Sequence, residues 1–239
     1  MGLPILLDLR DEEVADGVVD AMFDWLRWVD ATFSTFKDDS EINRINRGEL
    51  RLVDAHPDVQ QVLQRCDELR AETRGYFDMH AASAFAADPS GFVKGWSIDR
   101  AAAFLQESGV RNFAINAGGD VRLSGRAVPQ LHWRVGIQHP LERGEIAVVV
   151  EANELAIATS GAYERGAHVL DPHTGRPPSG VLSVTVVGPE LGTADAYATA
   201  AFAMGGEAAA HWTARLCGYE ALTILPDETV LATSGFPAA

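Results

Sequence analysis

Asp195 and Thr199 lie four residues apart in ADAYATAAFAM, a stretch of helical character, so their side chains share one helix face. A carboxylate and a hydroxyl are hard oxygen donors, and together they suit Mg²⁺ better than a soft metal. Two oxygens fall short of magnesium's octahedral set, and the pair also has a purely structural use. Asp195 favours a helix N-terminus, and Thr199 can bond back to the preceding turn. Lys94 sits between Gly91 and Gly95 in DPSGFVKGWSID, just ahead of a helix expected from about Ser97 to Ser108. A glycine-flanked lysine at a helix start suggests a phosphate contact, yet the G-x-x-x-x-G-K-[ST] spacing is missing. A third stretch, AIATSGAYERGAHVLDPHTGRP, ends a strand in Thr159-Ser160-Gly161. It continues to His168, a general-base candidate, and to Asp171, Thr174 and Gly175 in a turn marked by Asp-Pro and Thr-Gly. A lone histidine before an apolar pair is more often a core or turn residue.

The elements that must position these groups follow from periodicity. Val14, Val18, Met22, Leu26 and Val29 recur at helical steps and predict a helix over about 11–33. A second helix starts at Pro57 with Val59, Val62, Leu63, Cys66 and Leu69 inward, and Gly75 lies just beyond its end. Further helices are predicted over 194–204 and 207–216. NFAINAG, HWRVGIQ, EIAVVVEA, ELAIATSG and VLSVTVVG are rich in β-branched residues and predict strands, with a closing hairpin of ALTIL and TVLATS. The paired Gly118-Gly119 after NFAINA allow a bulge or a close backbone approach. The polar segment FSTFKDDSEINRINRGE reads as a surface loop. Helices at both ends with strands clustered between them give an α+β fold.

Composition limits the function classes. Asp and Glu number 34 against 19 Lys and Arg, a formal charge of −15, with no segregated basic stripe. Such a chain is repelled by a nucleic-acid backbone, so nucleic acid is not an expected partner. An anionic ligand would need local help from a cation, a metal or a helix N-terminus. Cys66 and Cys217 each fall in an apolar helical pattern and read as buried free thiols. No stretch approaches the roughly 20 apolar residues of a membrane span. The N-terminus lacks a signal-peptide pattern, so the chain as given reads as cytoplasmic, with a trimmed export signal left open.

The order of the motifs is more telling than any one of them. MGLPI, FSTFKDDSEINRIN, GYFDMHA, DPSGFVKGWSIDRA, NAGGDVRLSG, TSGAYER, HVLDPHTGRP and ADAYATAAFAMG follow one another over nearly the whole chain. The series resembles the ApbE family of FAD:protein FMN transferases. The resemblance implies one flavin transferase domain over 1–239, with an ApbE-like (T-fold-like) mixed sheet core flanked by helices. It implies Mg²⁺-dependent cleavage of FAD, attachment of FMN through a phosphoester to a Thr or Ser of a target flavoprotein, and release of AMP. The alternatives within this resemblance are an FAD pyrophosphatase with water as acceptor and a non-catalytic FAD-binding protein.

Carried over by position, the resemblance places Met1, Asp78, Met79, His80, Asp88, Lys94, Thr159, Ser160, Gly161 and Thr174 at the flavin nucleotide. It assigns metal binding to Asp195, Thr199 and the Gly91 carbonyl, and catalysis to His168 aided by Asp171. Three departures stand out. Leu3 replaces the usual threonine, Met79 and His80 replace proline and threonine, and DPSG lacks the usual leucine-glycine after the aspartate.

Overall fold

The computed structural model describes residues 2–81, 86–161 and 169–239. Its centre is a seven-stranded sheet in the order β1-β2-β3-β6-β7-β8-β9. The strands are β1 Ile5–Leu9, β2 Phe113–Ala117, β3 Asp120–Ser124, β6 Leu155–Gly161, β7 Ser183–Gly188, β8 Glu220–Ile224 and β9 Val230–Ala232. Each pairing along this order is antiparallel, so the expected mixed sheet is antiparallel in detail. A separate hairpin joins β4 (Trp133–Gln138) to β5 (Ile146–Ala152).

Side-chain alternation along the strands separates the two faces of the sheet. Phe113, Ile115 and Ala117 of β2, with Val184 and Val186 of β7, bury one face against helices. Val121 and Leu123 of β3, with Ile157 and Val187, bury the other against Trp133, Ile137 and Val150 of the hairpin. The helical layer comprises α1 Val18–Phe33, α2 Glu41–Asn46, α3 Pro57–Glu72, α4 Ser90–Glu107, α5 Leu191–Met204 and α6 Gly206–Thr213. The helices share an apolar centre of their own, with Val29, Ile42, Val62, Cys66, Phe92 and Ala200.

Several elements depart from the periodicity reading, each for a local reason. Helix α1 begins at Val18 because Asp11 is committed elsewhere. Its carboxylate accepts from the Arg111 and Asn112 backbone N–H groups and from the Asn112 amide, tying that segment to the start of β2. Gly17, at φ 81, then opens the helix. Helix α4 starts at Ser90 rather than near Ser97, so Gly91, Lys94 and Gly95 are helical rather than in a turn. The polar segment contains α2, because the Ser40 hydroxyl accepts from Asn43 N–H at 3.1 Å and Ile42 is buried. Strands β1 and β3 are additional; a two-residue turn at Gly118 (φ 62) and Gly119 (φ 102) turns β2 into β3. Cys66 is buried as expected, but Cys217 is exposed because α6 ends at Thr213, before reaching it.

Candidate functional site

The site begins where two helices approach more closely than side chains normally permit. A Cβ on Gly95 of α4 would lie 2.5 Å from the Leu191 carbonyl oxygen, and one on Gly192 of α5 would lie 2.9 Å from the Trp96 nitrogen. Only glycine at both positions permits this crossing. One turn after Gly95, the Asp99 carboxylate accepts from the Leu191 and Gly192 N–H groups, each at 2.9 Å. It thereby caps α5 from the neighbouring helix, satisfying donors that the first turn leaves unpaired. Burial pushes the Asp99 carboxyl up to about 6, against the lowering effect of those two N–H groups and Arg122.

The crossing sets Lys94 beside Asp195. The Lys94 Nζ lies 2.5 Å from Asp120 Oδ2 and 3.4 Å from Asp195 Oδ2. Asp120 stands at the start of β3, placed by the glycine turn, and its other oxygen accepts from Thr159 N–H at 3.1 Å. Both aspartates are buried, at 2% and 5% exposure. Burial disfavours the Lys94 charge, but Asp195 and Asp120 more than offset it and hold the ammonium above its ordinary pKa. Two carboxylates on one ammonium leave this trio with a net negative charge. It attracts a further cation and repels a phosphate. Lys94 therefore anchors carboxylates rather than offering a free positive charge.

Above the trio lies a cavity of about 940 Å³, near the top of the roughly 300–1,000 Å³ range of ligand pockets. Lys94, Asp195, Thr199, Gly91, Asp88, Asp78, Thr159, Ser160 and Gly161 all line it. The Ser160 and Thr199 hydroxyls are 3.3 Å apart, and Thr159 bonds Thr185 at 2.9 Å. Gly2 and Leu3 line the same cavity, while Met1 lies outside the described residues. Met79, His80, Asp171 and Thr174 are not among the lining residues. Met79 is buried in the helical centre, with its carbonyl accepting from Asp88 N–H at 2.7 Å. His80 donates from Nδ1 to the Ala86 carbonyl. His168, the expected base, also falls outside the described residues.

Asp171 spends its carboxylate on its own turn, accepting from His173 N–H and from the Thr174 hydroxyl, each at 2.9 Å. That turn is held against the cavity wall by a contact the motif reading did not foresee. His173 Nε2 donates to the Arg74 carbonyl at 3.1 Å, and its ring packs edge-on against Tyr76, a lining residue, at 4.6 Å. In the sequence Asp120 reads as a residue flanking the Gly118-Gly119 pair that could orient neighbouring loops. Its place beside Lys94 depends on pairing between distant segments.

The donor chemistry fits a hard divalent cation. Among the described residues, four carboxylates line the cavity (Asp30, Asp78, Asp88 and Asp195) against two lysines, Lys37 and Lys94. Lys37 is itself paired with Asp30 at 2.6 Å. Among the described residues, no three His, Cys, Asp or Glu side chains group to hold a metal. A cation here would draw on hydroxyl and backbone oxygens together with Asp195, the preference of Mg²⁺ over softer metals.

This arrangement of antiparallel sheet, helical layer and cavity is the fold of the flavin transferases. A solved flavin transferase ApbE from Vibrio cholerae aligns over 99% of this chain and 95% of its own, with TM-score 0.85 and 24% identity. A crystal structure of an ApbE protein from Thermotoga maritima covers 97% of both chains with TM-score 0.84 and 21% identity. The ApbE family model matches residues 1–87 and 80–223, and the chain belongs to that family. An FAD:protein FMN transferase of Vibrio cholerae is 38% identical over 130 residues, 50% of this chain and 39% of the relative. One from Treponema pallidum is 31% identical over 202 residues, 74% of this chain and 56% of the relative. The matched segments thus span less than two thirds of these relatives' lengths.

Proposed function

We propose that this chain is a Mg²⁺-dependent FAD:protein FMN transferase. The observation that carries this reading is the Lys94–Asp120–Asp195 trio, in which both carboxylates are buried. Its surplus negative charge lies beside a cavity large enough for a dinucleotide, with the paired Ser160 and Thr199 hydroxyls from two of its lining residues. Beside this surplus of carboxylates a cation would favour pyrophosphate binding, and Asp195, Thr199 and the Gly91 carbonyl are the residues that would hold it. Such an ion offsets charge building up on the phosphate oxygens during transfer.

The residues contribute positioning first. Lys94 fixes the Asp195 carboxylate, and Asp99 with the Gly95–Gly192 contact fixes the helix that carries it. Ser160 offers a hydroxyl donor to phosphate oxygens from the end of β6, while the Thr159 hydroxyl is bonded to Thr185. In the transfer, the oxygen of an acceptor Thr or Ser attacks the FMN phosphorus. The bond to the AMP phosphate breaks, and AMP leaves with that bridging oxygen. The hydroxyl proton passes to a base, the role the family resemblance assigns to His168. Asp171, engaged within its own turn, acts on that segment's shape rather than on the proton.

The test combines the chain, FAD, Mg²⁺ and a phage-displayed library of peptides that each carry one central Thr or Ser. Transfer predicts flavin fluorescence on denatured peptide, matched by AMP. AMP release with no labelled peptide would make water the acceptor, and bound FAD without AMP would make the protein a carrier.

A further inference from the structure

Strand β1 is an edge of the main sheet and, among the described residues, pairs on one side only, with β2. Its register identifies which backbone groups remain available. Arg10 N–H donates to the Asn112 carbonyl and Gly118 N–H donates to the Pro4 carbonyl. With Leu6 opposite Asn116 and Asp8 opposite Ala114, the even positions form the hydrogen-bonded pairs. Ile5, Leu7 and Leu9 therefore direct their N–H and C=O groups away from the sheet. An unpaired edge of this kind is a template for an added strand.

A second cavity of about 250 Å³ opens beside this edge, between β1 and α1. Ile5, Phe23 and Leu26 give it apolar walls, and Arg27 at its rim is paired with Asp24. It shares the lining residues Gly2, Leu3 and Asp30 with the larger cavity, so the two adjoin. A groove that lies beside an unpaired strand edge and adjoins the large cavity suits an extended chain better than a small molecule. Backbone bonds would hold such a chain, and every second side chain would turn into the groove.

We propose that the acceptor protein enters as an extended segment that pairs with the outer edge of β1. Apolar side chains then occupy the Ile5–Phe23–Leu26 groove, and the acceptor hydroxyl is led past Gly2 and Leu3 to the flavin phosphate. This rests on the transferase reading above.

The displayed peptide library tests it with the unmodified enzyme. Labelled peptides should be enriched in apolar residues at alternate positions on one side of the Thr or Ser. Labelled peptides without such alternation would overturn the edge pairing and leave the transferase reading standing. No labelled peptide at all would overturn both. A pair of variants isolates the backbone bond: Ile5→Pro removes an outward N–H at the first residue of an edge strand, where proline is tolerated, and Ile5→Ala keeps it. Relative to Ile5→Ala, Ile5→Pro should raise the acceptor KM about fivefold to tenfold, with FAD affinity equal in the two. Equal acceptor KM values in both variants would also overturn the edge pairing.

Discussion

The two walls of the large cavity are built differently. One is the α4–α5 crossing, where half-buried Lys94 and the buried Asp120 and Asp195 are locked by glycine contacts and by the Asp99 cap. The other consists of turns around residues 34–37, 78–81 and 169–176, whose polar groups bond within the turns and to adjacent segments. Phe36, almost fully exposed at its rim, illustrates the contrast with buried Asp195. Charge that must be held in one geometry lies on packed helices and a strand. On the proposed reading, short exposed turns would border the nucleotide, while the acceptor segment would enter along β1. Substitutions in the first wall should therefore cost both catalysis and stability, and those in the second should affect mainly substrate handling.

The largest effect is expected at Asp195. Asp195→Ala should lower AMP release from FAD at least about a hundredfold, because it removes a charge from the reacting centre. Lys94→Ala leaves two buried carboxylates without their ammonium and should cost about 3 kcal/mol in urea unfolding. Millimolar Mg²⁺ should restore part of that loss in the unliganded protein, a readout independent of turnover.

Asp99 provides a test by pH. Its folded pKa of about 6 lies above the ordinary 3.8, so the folded protein binds the proton more tightly than the unfolded chain. Its ionised form costs stability above pH 6, and that cost disappears as pH falls through 6 toward 4. The difference amounts to roughly 3 kcal/mol at most. In Asp99→Asn, stability measured by urea midpoint should lack this component between pH 7 and 4. Gly95→Ala forces a methyl against backbone atoms of α5 and should cost about 2 kcal/mol, with FAD affinity falling alongside. The smallest effect belongs to the second wall. His173→Ala should cost about 1 kcal/mol and slow transfer a few-fold, while the Mg²⁺ response of the unliganded protein stays intact.

The sequence made part of this contrast legible. The four-residue spacing of Asp195 and Thr199 put both on one face, and both line the cavity. The long helices and most strands followed from periodicity. Lys94 was placed ahead of its helix, which in the sequence reads as starting near Ser97 rather than Ser90. Gly95's purpose is the approach to Gly192, ninety-odd residues away in the chain, and no local pattern carries that information. Asp120 was obscured for the same reason, since its partnership with Lys94 depends on sheet pairing. Asp171 and His173 show the reverse case. Their motif marked a functional segment, but the local hydrogen bonds that employ them belong to the turn and to its contact with Arg74.

The most direct measurement is the ratio of AMP released to flavin covalently attached, for the unmodified chain and for Asp195→Ala, with FAD, Mg²⁺ and the displayed acceptors. A ratio near one for the unmodified chain, with both products lost together in Asp195→Ala, is the predicted result. AMP released without attached flavin, or an Asp195→Ala variant as active as the unmodified chain, would contradict transfer at the α4–α5 crossing.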